Sequence, residues 1–516
     1  MPSSAITEPD APDPAVGDVL DTPEAGRLVV RGGALRVGGF ATGLLASLVG
    51  AALVTRHLGP VDYGRYQTVL ALVTIVQAVT DLGMATLGLR EYAQRTGTDR
   101  EHFMRVLLGM RLALTTGGVL LAMALAWALG YDGQMIVGAG LMGLGLLFAV
   151  LYSTLSIPLS NDLQMGAVTG LDVARQVGVA ALFVLLVVLG SGVVGFLAAT
   201  IPVHLALVFA ALFLVRGRVP LRPTFDRREW LALVRPTITF ALATAVGSLY
   251  VYAALVLTSL VSTKYETGLF GASFRVYLIV ASVPGVLVTT AFPLLSRAAR
   301  DDRARLRYAT QRLFEGTAAL GGAALITCVL GAAPIIAVVA GAKYDGAIPV
   351  LRVQGAALAL TFVISTWGFT LLAMHRHRQM VRANVVALVI SAVTVLLLAH
   401  SHGAQGAAFG TLLGEAWLAC GYFWGIAGGD RAMRPSFSVV RRIVPALVLG
   451  LLPWFLPVPD AIATILGLGV YSAGLLLLGG LPEEIREHLP GPLGRLGLAT
   501  PNDDDEPDDA GPPDAR

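Results

Sequence analysis

Charge is scarce in this 516-residue chain: Asp, Glu, Lys and Arg make up 14% of it, against 55% apolar residues and a mean hydropathy of +0.72. A soluble protein of this length carries about a quarter charged residues to cover its surface. A cytosolic enzyme, a secreted disulfide scaffold and a nucleic-acid binder are therefore excluded. Cysteine is nearly absent. Cys328 and Cys420 both fall in apolar runs, and two isolated thiols imply neither a disulfide framework nor a metal site. Lysine occurs only at Lys264 and Lys343; the other 35 of the 37 basic residues are arginine. Walker A, HExxH and CxxC motifs are missing, as is an aspartate cluster suited to metal and nucleotide-sugar. No enzymatic activity, cofactor or metal is expected.

Long apolar runs are abundant. They recur from Ala34 to Leu478, each near the roughly 20 residues that cross a hydrocarbon core. Fourteen spans are expected, at 34–55, 67–88, 106–129, 134–157, 171–189, 192–215, 236–261, 274–295, 313–340, 350–373, 383–400, 404–426, 443–456 and 460–479. The thirteenth is short and flanked by prolines. The fold class is all-α, a polytopic membrane protein. Residues 1–25 hold six acidic residues and no basic one, and the run from Asp503 to Asp509 is acidic throughout except for Pro507. Such segments bury too little apolar area to fold, so 1–27 and 481–516 are expected to be disordered tails. The N-terminal stretch also lacks the basic start of a signal peptide, so the first span is expected to stay uncleaved.

Basic residues fix the orientation. With both termini cytoplasmic, six fall outside: Arg56, Arg65, Lys264, Arg275, Lys343 and Arg352. The other 31 lie in inside loops and adjoining helix ends, such as Arg90, Arg95, Arg100 and Arg105, or Arg297, Arg300, Arg303, Arg305 and Arg307. The stretch from Asp226 to Arg235 mixes charge with an apolar stripe and is expected to lie along the inner interface.

The chain also repeats itself. Gly64-x-Tyr66, after span one, lines up with Gly268-x-Phe270, after span seven, at an offset of 204. At that offset Gly39, Gly43 and Gly50 fall on Ala243, Gly247 and Ala254, so both helices carry a small-residue face. Six spans separate the copies, which gives a parallel repeat about an axis along the membrane normal.

Three motifs then carry a resemblance. The first runs from Leu58 through Gly59-Pro60-Val61-Asp62-Tyr63-Gly64-Arg65-Tyr66 to Asp81-Leu82-Gly83 and Arg90-Glu91-Tyr92. The second is Gly341-Ala342-Lys343-Tyr344-Asp345-Gly346-Ala347, followed by Val350-Leu351-Arg352. The third is Gly403-Ala404-Gln405-Gly406-Ala407-Ala408-Phe409-Gly410-Thr411, followed by Glu415. In this order the chain, over roughly residues 28–480, resembles the bacterial Wzx-type oligosaccharide/polysaccharide flippases of the multidrug/oligosaccharidyl-lipid/polysaccharide (MOP) superfamily. The resemblance implies an N-lobe of six spans (28–215), a cytoplasmic linker (216–235), a C-lobe of six (236–428) and two final helices (429–480). It implies a cleft lined by spans one, two, seven and eight, and alternating access. The cargo would be a polyprenyl-(pyro)phosphate-linked oligosaccharide, moved from the inner to the outer leaflet of the bacterial plasma membrane for surface polysaccharide synthesis. Membrane lipids, and glycosyltransferases or a polymerase of the same pathway, would be partners of a monomer. A lipid II flippase of the MurJ type, a cation-coupled multidrug exporter of the MATE type, and a non-transporting scaffold that recruits glycosyltransferases through its acidic tail are the rival readings.

A flippase breaks no covalent bond, but it must offer donors to a phosphate headgroup inside a low-dielectric path. Arginine suits this, since its planar fork stays charged and binds phosphate bidentately. Candidates are Arg36, on a face with Gly39, Gly43, Ser47 and Gly50, then Arg111, Arg275 and Arg352. Each also has a plainer reading, as a side chain reaching toward membrane headgroups. Asp81 either pairs with Arg90 or belongs to a lobe hinge. Glu415 lies deep in span twelve and either couples transport to an ion, contacts sugar or is paired within its lobe. Thr237, Thr244, Ser248 and Tyr252 on span seven face either sugar or neighbouring helices, and His204 is expected to be a satisfied packing histidine.

Overall fold

The computed structural model describes residues 23–480 apart from 82–83, 163, 217–221, 236–237 and 429–432; the side chains of 23–42, 44, 45, 85, 86, 165, 239–241, 243 and 244 also lie outside the described residues. Both acidic ends fall outside them as well, but for residues 23–27. The described chain is helical, without a strand. Its first set of helices is α1 (Pro23–Asp81), α2 (Met84–Gln94), α3 (Gly97–Ala128), α4 (Gly133–Leu155), α5 (Ile157–Asn161), α6 (Met165–Val188), α7 (Val193–Ala198) and α8 (Thr200–Leu214). A short α9 (Arg227–Val234) leads to the second set: α10 (Ile238–Val261), α11 (Lys264–Asp301), α12 (Arg303–Leu330), α13 (Ala332–Val339), α14 (Ala347–Ala373), α15 (His377–Ala427), α16 (Ser438–Leu451) and α17 (Asp460–Leu477). Among the described residues ten helices are long and apolar enough to cross a membrane. In hydrocarbon every backbone polar group must be satisfied internally, and helices do this within one segment.

Two of the long helices are hairpins. Gly59 breaks α1 at φ 70° and ψ 173°, a conformation that favours glycine, and Pro60 restarts the helix. Ser47 and Gln67 then border one cavity, as residues on antiparallel arms do. Gly403 does the same in α15 at φ 54° and ψ −132°. Beyond it Gly406 lies against the Leu398 backbone, and Gly410 against Ser391 and Val395. Among the described residues the expected spans overlap these helices, with spans one and two on α1 and α2, and eleven and twelve on α15. The proline-flanked thirteenth is α16 followed by a 3-10 turn at Leu452–Phe455.

The two helix sets meet at the arginine-poor end, and the sequence repeat explains how. A Cβ on Gly64 would overlap the carbonyl of Lys264, and a Cβ on Gly268 would overlap the carbonyl of Pro60. Lys264 and Gly268 are the repeat partners of Pro60 and Gly64, so the contact is reciprocal, as across a two-fold axis. Gln67 donates to the Gly271 carbonyl at 3.1 Å, its own partner at the same offset. Around this close approach an apolar core joins both sets, with Tyr63, Leu269, Phe270, Phe274 and Tyr344 buried in it. The Tyr344 hydroxyl donates to the Thr55 carbonyl at 2.9 Å, and Arg56 donates to the Ala337 carbonyl at 2.8 Å. Tyr63 of the first motif meets Tyr344 of the second edge-on at 6.2 Å, so the two motifs pack on each other. The third turns α15 and receives Glu266, which accepts from the Ala404 amide at 2.8 Å.

Away from this seam the packing loosens. On α11 the stretch from Thr267 to Phe274 is buried, whereas Leu287 and Leu294, toward the arginine-rich end, are 43% and 57% exposed. The pair α16–α17 seals the far side of α12, where the Tyr471 hydroxyl donates to the Ala319 carbonyl at 2.8 Å.

Candidate functional site

A cavity of about 300 Å³ lies beside the seam, between α1, α6, α8 and α11. Its walls include Ser47 and Gly50 from the small-residue face of α1, so that face does border a cavity. Gly43, one turn earlier, packs on the Gln176 amide. Arg275 enters from α11. It stands eleven residues, about 16 Å, into the helix, well away from the outer loop. Its Nη2 donates to the Ser47 hydroxyl, while its Nε is buried without a partner. Arg175 and Gln176 from α6, Gln67 from α1 and His204 from α8 also line the cavity. His204 is satisfied, as expected, by the Gly145 carbonyl at 2.8 Å, and its ring stacks on Tyr152. The Thr200 hydroxyl is buried on the same wall without a partner. Two guanidinium groups, two amides and a free hydroxyl thus line one cavity whose remaining wall is largely apolar, with Val54, Leu70, Val179 and Phe183.

The remaining candidates sit elsewhere. Arg111 is buried, donating to Asp81 at 2.8 Å and to the Thr154 hydroxyl at 2.9 Å. Asp81 is therefore paired with Arg111 rather than with Arg90, because α3 crosses directly behind the end of α1 and Arg90 projects from α2 into solvent. Arg352 lies over the Trp454 ring at 4.3 Å and donates to the Val329 carbonyl, which ties α14 to the last helix pair and not to the cavity. Glu415 is buried among α10, α11, α14 and α15. It accepts from Tyr250 and Tyr277 at 3.1 Å each and from Thr361 at 3.2 Å. Ser248 is half-buried on α10, and Tyr252 meets Phe274 edge-on at 6.1 Å. Arg36, Thr237 and Thr244 lie outside the residues whose side chains are described.

Arg175 was not a sequence candidate. The expected span 171–189 holds it four residues from its start, close to the inner headgroups. Helix α6 begins at Met165, so Arg175 stands nearly three turns inside. The hydroxyl donors to Glu415 come from three other helices and carry no local signature.

A charge cluster closes the seam at its surface. The Asp132 carboxylate, which also caps α4 through the Met135 amide, accepts from Lys264 at 2.6 Å and from Arg65 at 3.0 Å. Arg65 bonds Asp62 as well, and the Tyr131 hydroxyl lies 2.7 Å from that of Ser259. Burial opposes ionisation of Asp132. The Lys264 hydrogen bond, the Met135 amide and the charges of Lys264 and Arg65 outweigh it and hold the carboxyl below its usual value.

These elements define a polytopic membrane protein of two pseudo-symmetric helical bundles, joined at one end and flanked by an arginine-bearing cavity. Residues 53–349 match the family described as polysaccharide biosynthesis protein, and the chain belongs to that family. Its fold is similar to a structure of the lipid II flippase MurJ in an inward closed conformation, at 12% identity and a TM-score of 0.69, covering 86% of this chain and 98% of that one. It is also similar to a multidrug resistance MATE family transporter of the MOP superfamily in an inward-facing conformation, at 16% identity and a TM-score of 0.59, covering 76% and 95%. A MATE transporter in an outward-facing conformation gives 15% and 0.52, covering 78% and 96%. No curated protein sequence matches the chain.

Proposed function

We propose that the chain is a flippase that carries a polyprenyl-(pyro)phosphate-linked oligosaccharide from the inner to the outer leaflet of a bacterial plasma membrane by alternating access. Membership of a polysaccharide biosynthesis family and a fold shared with MurJ and MATE transporters support a transporter of this cargo class. With the arginine-rich end cytoplasmic, the clasped seam faces outward, and the structure is a state closed to the outside. The observation that carries the reading is Arg275, which brings a partly unpartnered guanidinium into the cavity that Arg175 also lines. Together they supply fixed, always-charged donors for phosphate oxygens, and Gln67, Gln176, Ser47 and Thr200 offer bonds to ester oxygens or the adjoining sugar. The prenyl chain stays in lipid.

The membrane potential favours this direction. Each negative charge leaving through 100 mV gains about 2.3 kcal/mol, so a doubly charged pyrophosphate gains about twice that. The experiment is complementation of a deletion strain with Arg275→Ala and Arg175→Ala, at matched protein levels. Surface glycan should be lost in both. Full surface glycan in both variants would remove the cavity from the transport path.

A further inference from the structure

The segment that covalently joins the two bundles carries an exposed surface that takes no part in the cavity lining. Helix α9 is amphipathic in two senses. Trp230, Leu233 and Val234 turn inward onto a core that contains Met84, Phe103 and Leu107. At helical spacing the other face presents Arg227, Leu231 and Arg235 in a row, with Arg228 beside them. All four are exposed, Leu231 by 69%. Phe225, just before the helix, is 63% exposed and stands edge-on to Trp230. An exposed leucine and phenylalanine ringed by arginines is costly in water. It matches the boundary between acyl chains and headgroups.

The segment is anchored, which fixes how that face points. Asp226 caps the helix through the Arg228 amide at 2.8 Å. The Thr224 amide donates to the Arg105 carbonyl at 3.0 Å, and a Cβ on Gly109 would overlap the Thr224 carbonyl, so the segment before α9 lies directly on α3. The His102 ring on α3 meets Glu229, the acidic residue within α9, at 2.9 Å, while Asp226 is taken up by the helix cap. Glu229 is therefore turned toward α3, and the outer face of α9 is left with cationic and apolar groups only.

We propose that this outer face of α9 binds anionic phospholipid headgroups at the arginine-rich membrane surface, with Arg227, Arg228 and Arg235 contacting phosphate and Leu231 and Phe225 entering the acyl boundary. The site goes beyond the transported cargo and rests only on the membrane placement of the arginine-rich end. Every described anchor of the segment belongs to the first bundle, so lipid held there moves with that bundle.

The test uses the full chain in nanodiscs. Cys328 and Cys420 are replaced by alanine, and Leu231→Cys carries an environment-sensitive dye. A small fraction of nitroxide-labelled phosphatidylglycerol or phosphatidylcholine serves as quencher. Each arginine near an anionic surface is worth about fivefold in local affinity, so the anionic quencher should act at least about fivefold more strongly. The Arg227→Gln, Arg228→Gln, Arg235→Gln variant should quench equally with both lipids. Raising the ionic strength well above physiological should shrink the preference in the unchanged arginine face, a readout that needs no arginine variant. Equal quenching by the two lipids at low salt, or a preference that survives the triple change, overturns the proposal, as does a dye that neither lipid reaches. None of these outcomes depends on transport, so failure of the flippase reading would leave them unaffected.

Discussion

Arg275 and Arg352 look alike in the sequence, each a basic residue at the start of a span where basic residues are rare, yet only Arg275 enters the cavity. The difference is depth and facing, which depend on where α11 begins and on a tryptophan 102 positions further on. Charge-assisted hydrogen bonds contribute about 1.5–3 kcal/mol. Arg275→Ala should therefore weaken binding of a prenyl-pyrophosphate sugar about tenfold to a hundredfold, measured by ligand titration of purified protein. Unchanged affinity would place the headgroup elsewhere. Glu415 sits at the same scale. Glu415→Leu strips the acceptor from Tyr250, Tyr277 and Thr361 and should lower stability in detergent by about 1–2 kcal/mol. Glu415→Gln keeps an acceptor and should lose less. Equal melting temperatures for the Glu415→Leu variant and wild type would show that this buried group holds nothing together. The sequence marked Glu415 by its depth in an apolar run, but not its partners, because those lie on three helices brought near by tertiary packing alone.

At the scale of elements, the repeat at offset 204 was legible and proved structural: Gly64 and Gly268 are where two backbones touch. Gly64→Ala places a Cβ on the Lys264 carbonyl and should push the seam apart. A Ser259→Cys reporter, which lies beside Tyr131 in that seam, should then react faster with a membrane-impermeant thiol reagent. An unchanged rate would mean that the glycine contact does not close the outer end. The charge cluster gives a second handle. Since the Asp132 carboxyl is held below its usual value in the closed state, its contribution is present above the ordinary carboxylate range and disappears as pH falls through the lowered value. Reporter reactivity, corrected for the thiolate fraction at each pH, should be flat at neutral pH and rise only in acid, below about pH 4. Lys264→Gln should raise it already at pH 7. A rise centred near pH 6 would point to a group other than Asp132. Nothing in the local sequence paired Asp132 with Lys264, since 132 positions separate them.

For the molecule as a whole, hydropathy and arginine placement were enough to read an all-α polytopic chain, and the hairpins at Gly59 and Gly403 fall where short loops between spans were expected. Span edges were less legible: the expected span 171–189 begins six residues after α6 does, so Arg175 stands deeper in its helix than hydropathy alone indicates. Arg175 is one of the cavity's two guanidinium groups. The central claim concerns leaflets. The most direct measurement deletes the gene, extracts lipid-linked sugars, and asks which leaflet holds them. The account predicts a defined lipid-linked oligosaccharide accumulated on the cytoplasmic side, with surface glycan lost and both restored by the wild-type chain but not by Arg275→Ala. Unchanged lipid-linked sugars together with unchanged surface glycan would contradict it.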